Sequence, residues 1–132
     1  PARENVLQAD EVLASVTLPR QTIGSRSVYH KVMDRESWTH AIVSVAVVAE
    51  LEGDVCRAAR IVLGGVAPTP WRVSEAERVL RDQPLTPSVV AQAAEQAIVG
   101  ARPLSKNGYK VALVRGTVER ALGSVNGRKR GN

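Results

Sequence analysis

Few residues in this sequence have the type and spacing to do chemistry, and the most suggestive is a lysine. In Tyr29-His30-Lys31-Val32-Met33-Asp34-Arg35 an extended chain points Tyr29, Lys31 and Met33 to one side, setting an ammonium between an aromatic ring and a soft thioether. Such a lysine either snorkels to solvent or meets an anion, and physics alone favours solvent. Cys56 is followed by Arg57, which would lower its pKa if the thiol were exposed; a lone cysteine is more often inert packing. His30, His40 and one thiol fall short of a structural zinc set, and no G-x-S-x-G elbow holds a serine. No catalytic residue and no metal ligand is assigned. Leu63-Gly64-Gly65-Val66 ends a strand where a phosphate loop could sit, but it matches neither G-x-G-x-x-G nor G-x-x-x-x-G-K-[ST] and reads as a strand-end turn.

Charge is the other chemical signal. The net +5 is uneven: residues 1–101 carry 10 Lys and Arg against 12 Asp and Glu, whereas residues 102–132 carry 8 against 1. A basic segment can grip phosphates with a steep salt dependence, yet single-strand platforms also need aromatics, and only Tyr109 lies there. A solvated or subunit-docking face is the plainer reading. Arg128, Lys129 and Arg130 sit in a Gly-flanked tail with no apolar residue to dock it, which predicts mobility.

The elements that must position these groups follow from hydrophobic period. Glu11–Leu18 alternates imperfectly and Pro19 ends it; Val28–Met33 is a second short strand candidate. Ala41–Leu51 is the strongest, with Ala41, Val43, Val45, Val47, Ala49 and Leu51 on one face. Glu52-Gly53-Asp54 supplies turn chemistry and Val55–Leu63 returns, so a hairpin is expected. After Pro68-Thr69-Pro70 the period changes to about 3.6. Ser74-Glu75-Ala76-Glu77 fits a capping box opening a short helix. Thr86-Pro87 caps a second, with Val89, Val90, Ala93, Ala94, Ala97 and Ile98 as its stripe. A third runs from Asn107 as cap through Val111, Val114, Val118 and Leu122 to Gly123. Strands first and helices after predict an α+β fold, a three- to four-stranded antiparallel sheet followed by three helices packed on one face.

At 132 residues and 14.2 kDa the chain has room for one domain with a genuine core. Its 44% hydrophobic content excludes a disordered chain, and no apolar run spans a bilayer. Aromatics are only 3% and Phe is absent, so the core must pack small aliphatics by shape, with Tyr29, Trp38, Trp71 and Tyr109 the only large rings.

Several blocks resemble a known family. In order they are Glu4-Asn5-Val6-Leu7; Asp10-Glu11-Val12-Leu13 running to Leu18-Pro19; Tyr29 to Arg35; Ala41-Ile42-Val43-Ser44-Val45-Ala46; Leu63-Gly64-Gly65-Val66-Ala67-Pro68-Thr69-Pro70-Trp71-Arg72 with Glu77 and Leu80; and Arg102-Pro103-Leu104-Ser105-Lys106-Asn107-Gly108-Tyr109-Lys110 to Arg120-Ala121-Leu122. Together they resemble the C-terminal domain of the FAD-binding subunit of molybdenum hydroxylases, of xanthine dehydrogenase and carbon monoxide dehydrogenase flavoprotein type. The variant Pro103–Lys110 resembles the bacterial aldehyde-oxidising branch. Some subunits of that branch hold an iron–sulfur cluster, which Cys56 alone cannot ligate.

The resemblance implies a domain over residues 1–122, a basic flexible tail over 123–132, and a preceding FAD-binding domain that lies outside this sequence. It implies FAD as cofactor, with Leu13 packing on the isoalloxazine and Lys31 placing positive charge where the reduced, anionic flavin is favoured. It also implies a molybdenum-cofactor large subunit and an iron–sulfur small subunit as partners, electron transfer from those clusters to FAD, and neither a membrane nor nucleic acid as partner. The compartment implied is the cytoplasm, or the periplasm through a partner subunit's signal. The rival is a free-standing basic module for nucleic acid or an acidic protein.

Overall fold

The computed structural model describes residues 6–18, 20, 22–35 and 40–127. Its elements are β1 (Ser25–Val32), β2 (Val43–Glu52), β3 (Val55–Gly64), β4 (Trp71–Arg72), α1 (Ser74–Leu80), β5 (Gln83–Pro84), α2 (Pro87–Gln96) and α3 (Tyr109–Val125). The α+β class and the strand-then-helix order are those expected, with the two-residue strands β4 and β5 in addition. Pro19, Trp38 and the basic residues 128–130 lie outside the described residues.

The sheet is antiparallel in the order β1-β2-β3-β4, and β5 pairs with the hairpin end of β3. Alternation along β2 puts Val43, Val45, Val47 and Ala49 on the face the helices cover, all at most 1% exposed. Ile61 and Leu63 of β3 join them, as do Ala76 and Leu80 of α1, Ala93 and Ala94 of α2, and Val114, Val118, Ala121, Leu122 and Val125 of α3. No aromatic side chain enters this described core. Small aliphatics let helix and sheet approach closely, which is how the core closes without Phe.

The β2–β3 turn forms as expected, with Gly53 at φ +60. Thr86 Oγ1 accepts from the Val89 N–H at 3.3 Å and Pro87 takes the first turn of α2. Helix α3 departs from expectation at both ends. Its N-cap is Gly108; Asn107 instead uses Oδ1 to accept from the Leu104 N–H at 2.6 Å. The helix also continues through Gly123 to Val125, because Val125 is a core residue and the Arg26 guanidinium donates to its carbonyl at 3.1 Å. Asn126 then ties the end of α3 to Leu85 O at 3.1 Å.

The larger correction is at the start of the chain. Glu11–Leu18 forms no strand. After a turn in which the Glu11 N–H donates to Gln8 O and Glu11 Oε2 accepts from the Gln8 N–H, the segment carries Val12, Leu13, Val16 and Leu18 at 65–87% exposure. The alternation is real, but a strand also needs a ladder partner, and β1 pairs only with β2.

Two glycines test the backbone. Gly53 and Gly65 both have positive φ, but a Cβ on Gly53 meets nothing within 4 Å whereas one on Gly65 lies 2.7 Å from Ile42 O. Urea unfolding should show Gly53→Ala losing about 1–2 kcal/mol from the left-handed conformation alone, and Gly65→Ala losing clearly more. Equal losses would show that the Gly65 contact does not constrain the fold.

Candidate functional site

Because the helices cover one face of the sheet, its other face is left to carry a site. Register places Tyr29 of β1 opposite Ala46, and Lys31 opposite Ser44; on the other side of β2, Ala46 faces Val62 and Ser44 faces Gly64. The centre of this face is therefore floored by Ser44, Ala46 and Gly64, with Tyr29, 62% exposed, and the exposed Lys31 along its β1 edge. The floor is held small: a Cβ on Gly64 would lie 2.4 Å from Ser44 Oγ. Ser44 is itself only 7% exposed, so what lies open between the Tyr29 ring and the Lys31 ammonium is the half-buried surface of Ala46 and Gly64. β1 ends at Val32, so the shared side holds for Tyr29 and Lys31, and Met33 lies just past the strand.

The edge of this face is set by a carboxylate. β4 is only two residues long, so β3 outruns it, and the Ile61 N–H has Glu77 Oε1 as its acceptor at 2.9 Å. Glu77 is 8% exposed and reaches out from α1. Arg72 grips it with Nε at 2.9 Å to Oε1 and Nη2 at 2.8 Å to Oε2. Burial works to raise the Glu77 pKa, but the hydrogen bonds from Arg72 and the Ile61 N–H, with the charges of Arg72 and Arg60, outweigh it and hold the carboxyl below the ordinary range. The capping box expected from Ser74 and Glu77 is not made: the N-cap of α1 is Val73, with no side-chain cap, because Glu77 is committed to β3. Sequence reasoning quoted Arg72 and Glu77 but missed this role, which spacing alone does not reveal.

Leu13 is 65% exposed on the strandless segment, and neither it nor Lys31 lines the two clefts described below. Cys56 is fully buried, and its thiol is pushed up first by burial and then by Asp82 and Glu50, which suits packing rather than reaction. His30 faces α3, its Nε2 at 3.2 Å from Ser124 Oγ; burial and then Arg120 lower its pKa. Among the described residues no three His, Cys, Asp or Glu side chains converge to hold a metal ion, and no helix is long and apolar enough to cross a membrane. Gly65 makes the strand-end turn, and the Lys110 ammonium donates to its carbonyl at 3.0 Å. Beside it a cleft of about 270 Å³ opens between Val66, Trp71, Val99 and Val111, with Arg102 at its side. A second, of about 170 Å³, lies at the β3 edge of the sheet beside Glu77, between β2, β3, β4 and the end of α1.

Residues 28–125 match the CO dehydrogenase flavoprotein C-terminal domain. The chain belongs to that family. Lys31 lies inside the matched span and Leu13 before it. The chain is 35% identical over 123 residues to the aldehyde oxidoreductase FAD-binding subunit PaoB of Escherichia coli, covering 92% of this chain and 35% of the relative. It is 30% identical over 125 residues to the 6-hydroxypseudooxynicotine dehydrogenase complex subunit alpha of Paenarthrobacter nicotinovorans, covering 91% of this chain and 42% of that subunit. Among solved structures it resembles carbon monoxide dehydrogenase from Hydrogenophaga pseudoflava in a form lacking the Mo-pyranopterin moiety of the molybdenum cofactor. There the TM-score is 0.76 and the identity 32%, over 83% of this chain and 39% of that one. This flavoprotein C-terminal domain thus spans well under half the length of these relatives.

The Glu77 clamp gives a signed prediction. Glu77→Gln should lose about 1–3 kcal/mol near pH 7, where the charge-assisted bonds are lost, toward the lower end because Arg72 is half-exposed and screened. A carboxyl with a depressed folded pKa stabilises above its ordinary value of 4.5 and loses that contribution as pH falls through its folded value. The gap between wild type and Glu77→Gln in urea unfolding should therefore shrink below about pH 4.5; a gap constant down to pH 2.5 would contradict the clamp.

Proposed function

We propose that this chain is the C-terminal domain of the FAD-binding subunit of a molybdenum-dependent hydroxylase or dehydrogenase, and that its helix-free sheet face forms one wall of the flavin pocket. The observation that carries the reading is the placing of Lys31 and Tyr29 at the rim of the Ser44, Ala46 and Gly64 floor, inside the span that matches the flavoprotein family. These residues fit an isoalloxazine: the floor allows a flat ring to approach backbone, and the rim offers it a cation.

When bound, FAD supplies reversible storage of one or two electrons. This chain's own residues do the rest. Lys31 holds positive charge at the ring's edge, which favours the reduced anionic form of the flavin. Tyr29 shields the flank. Leu13, exposed and apolar, covers the ring from the segment before β1 and excludes water there. Most contacts to FAD are made by the part of the subunit that precedes this domain, and the domain alone has no turnover. The partners are a large subunit carrying the molybdenum cofactor, where substrate is oxidised, and a small iron–sulfur subunit that delivers electrons to FAD. Likeness to PaoB favours an aldehyde over an N-heterocycle as substrate. A single buried thiol suits the reducing cytoplasm.

In the intact flavoprotein subunit, Lys31→Ala should lower flavin occupancy, read as the ratio of flavin to protein absorbance, or shift the flavin midpoint potential negative. Lys31→Arg should restore most of either. Flavin content and potential unchanged in Lys31→Ala would sink the role given to this residue.

A further inference from the structure

The 270 Å³ cleft at the Gly65 turn has no task in the flavin reading. Its walls come from residues 63–71, where β3 turns into β4, and from residues 97–114, the loop from α2 and the first turns of α3. Those two stretches of sequence contain Arg102, Lys106 and Lys110 and no Asp or Glu. Glu95, just before the second stretch, is taken by Arg115 at 2.9 Å. Both walls are also apolar and open to water. Trp71 and Val99 line the cleft at 58% and 68% exposure, and Leu104 and Tyr109, on the loop that carries Arg102 and Lys106, stand at 76% and 59%. Scattered exposed apolar side chains need no explanation, but apolar surface gathered at one cleft and rimmed by charge of one sign marks an interaction site.

The cleft is built before anything enters it. Lys110 holds Gly65 O at 3.0 Å, Asn107 Oδ1 accepts from the Leu104 N–H at 2.6 Å, and the Ala101 N–H donates to Ile98 O at 3.1 Å. A preformed surface loses little freedom when it is covered. Because Asn107 and Lys110 are spent on the cleft's own backbone, what it offers an occupant is apolar carbon and a cationic rim. Walls that are themselves more than half exposed do not enclose a small molecule, which needs most of its surface buried; they seat a side chain borne on a larger surface. We infer that this cleft is a protein docking site whose occupant is an acidic segment of a partner subunit. One large apolar side chain of that segment seats between Val66, Trp71 and Val99, and flanking carboxylates meet Arg102 and Lys106. The inference rests on the reading of this chain as part of one subunit of an assembled enzyme, and it adds the face by which that subunit is held.

Hydrogen–deuterium exchange of the intact flavoprotein subunit, alone and assembled with its large and small subunits, tests the site. Amides of residues 65–71 and 99–108 should slow at least about fivefold on assembly. In the Val99→Asp, Arg102→Glu double variant the dissociation constant for the partner subunits should rise at least about tenfold, and the loss should grow as salt falls, because reversed charge repels most where screening is least. The Arg20→Glu, Arg81→Glu variant, which changes more charge elsewhere, should assemble as wild type. All four side chains are exposed, and unchanged exchange in β2 and β3 checks that each variant is folded. A wild-type subunit that does not assemble overturns the reading of the chain together with the site. Assembly without slowing at these residues, slowing already complete in the subunit alone, or equal affinity of the two double variants overturns the site and leaves that reading standing.

Discussion

A buried carboxylate bonded to the edge of a strand holds this domain in register. β3 continues past the two residues of β4, and at that step Ile61 would present an unpaired N–H to the interior. Glu77 supplies the missing acceptor from α1, and Arg72, on the strand that stopped, fixes the carboxylate from the opposite side. One interaction therefore joins β3, β4 and α1. Leaving any member without its partner would strand a buried polar group, which costs more than the net worth of an ordinary hydrogen bond. With α1 fixed on β3, α2 packs against α1 and α3, α3 lies over β2 and its Val43, Val45 and Val47 stripe, and the helices are confined to one side.

That one-sidedness leaves the function its place. A sheet covered on one face usually turns a polar surface to water, yet here the free face is small at its centre, ringed by Tyr29 and Lys31 at one edge and by arginines further along. Gly64 lacks a side chain opposite Ser44 because a Cβ there would lie 2.4 Å from Ser44 Oγ, and this close packing keeps the centre of the face low. Membership of the CO dehydrogenase flavoprotein C-terminal family makes a flavin the occupant proposed for this face.

Much of this was legible in the residues, and the limits are physical. The β2–β3 hairpin follows from eleven residues of unbroken alternation and a Glu-Gly-Asp turn, and α2 from a Thr-Pro cap, because both signals are local. Lys31 and Tyr29 share a face for the same reason. Glu11–Leu18 alternates too, but pairing is not a local property, and no neighbouring strand accepts it. The Ser74–Glu77 spacing is that of a capping box, yet an unpaired strand N–H competes for the same carboxylate and wins, and that competitor is invisible until β3 and α1 are packed together.

The central claim is that the sheet face bearing Lys31 lies against the flavin. Amine-reactive footprinting of the intact flavoprotein, with and without its FAD, tests it most directly, since Lys31 and Lys106 are both exposed in this domain and serve as probe and reference. The account predicts that FAD protects Lys31 several-fold while Lys106 labels equally in both forms. Equal labelling of Lys31 with and without FAD would contradict it.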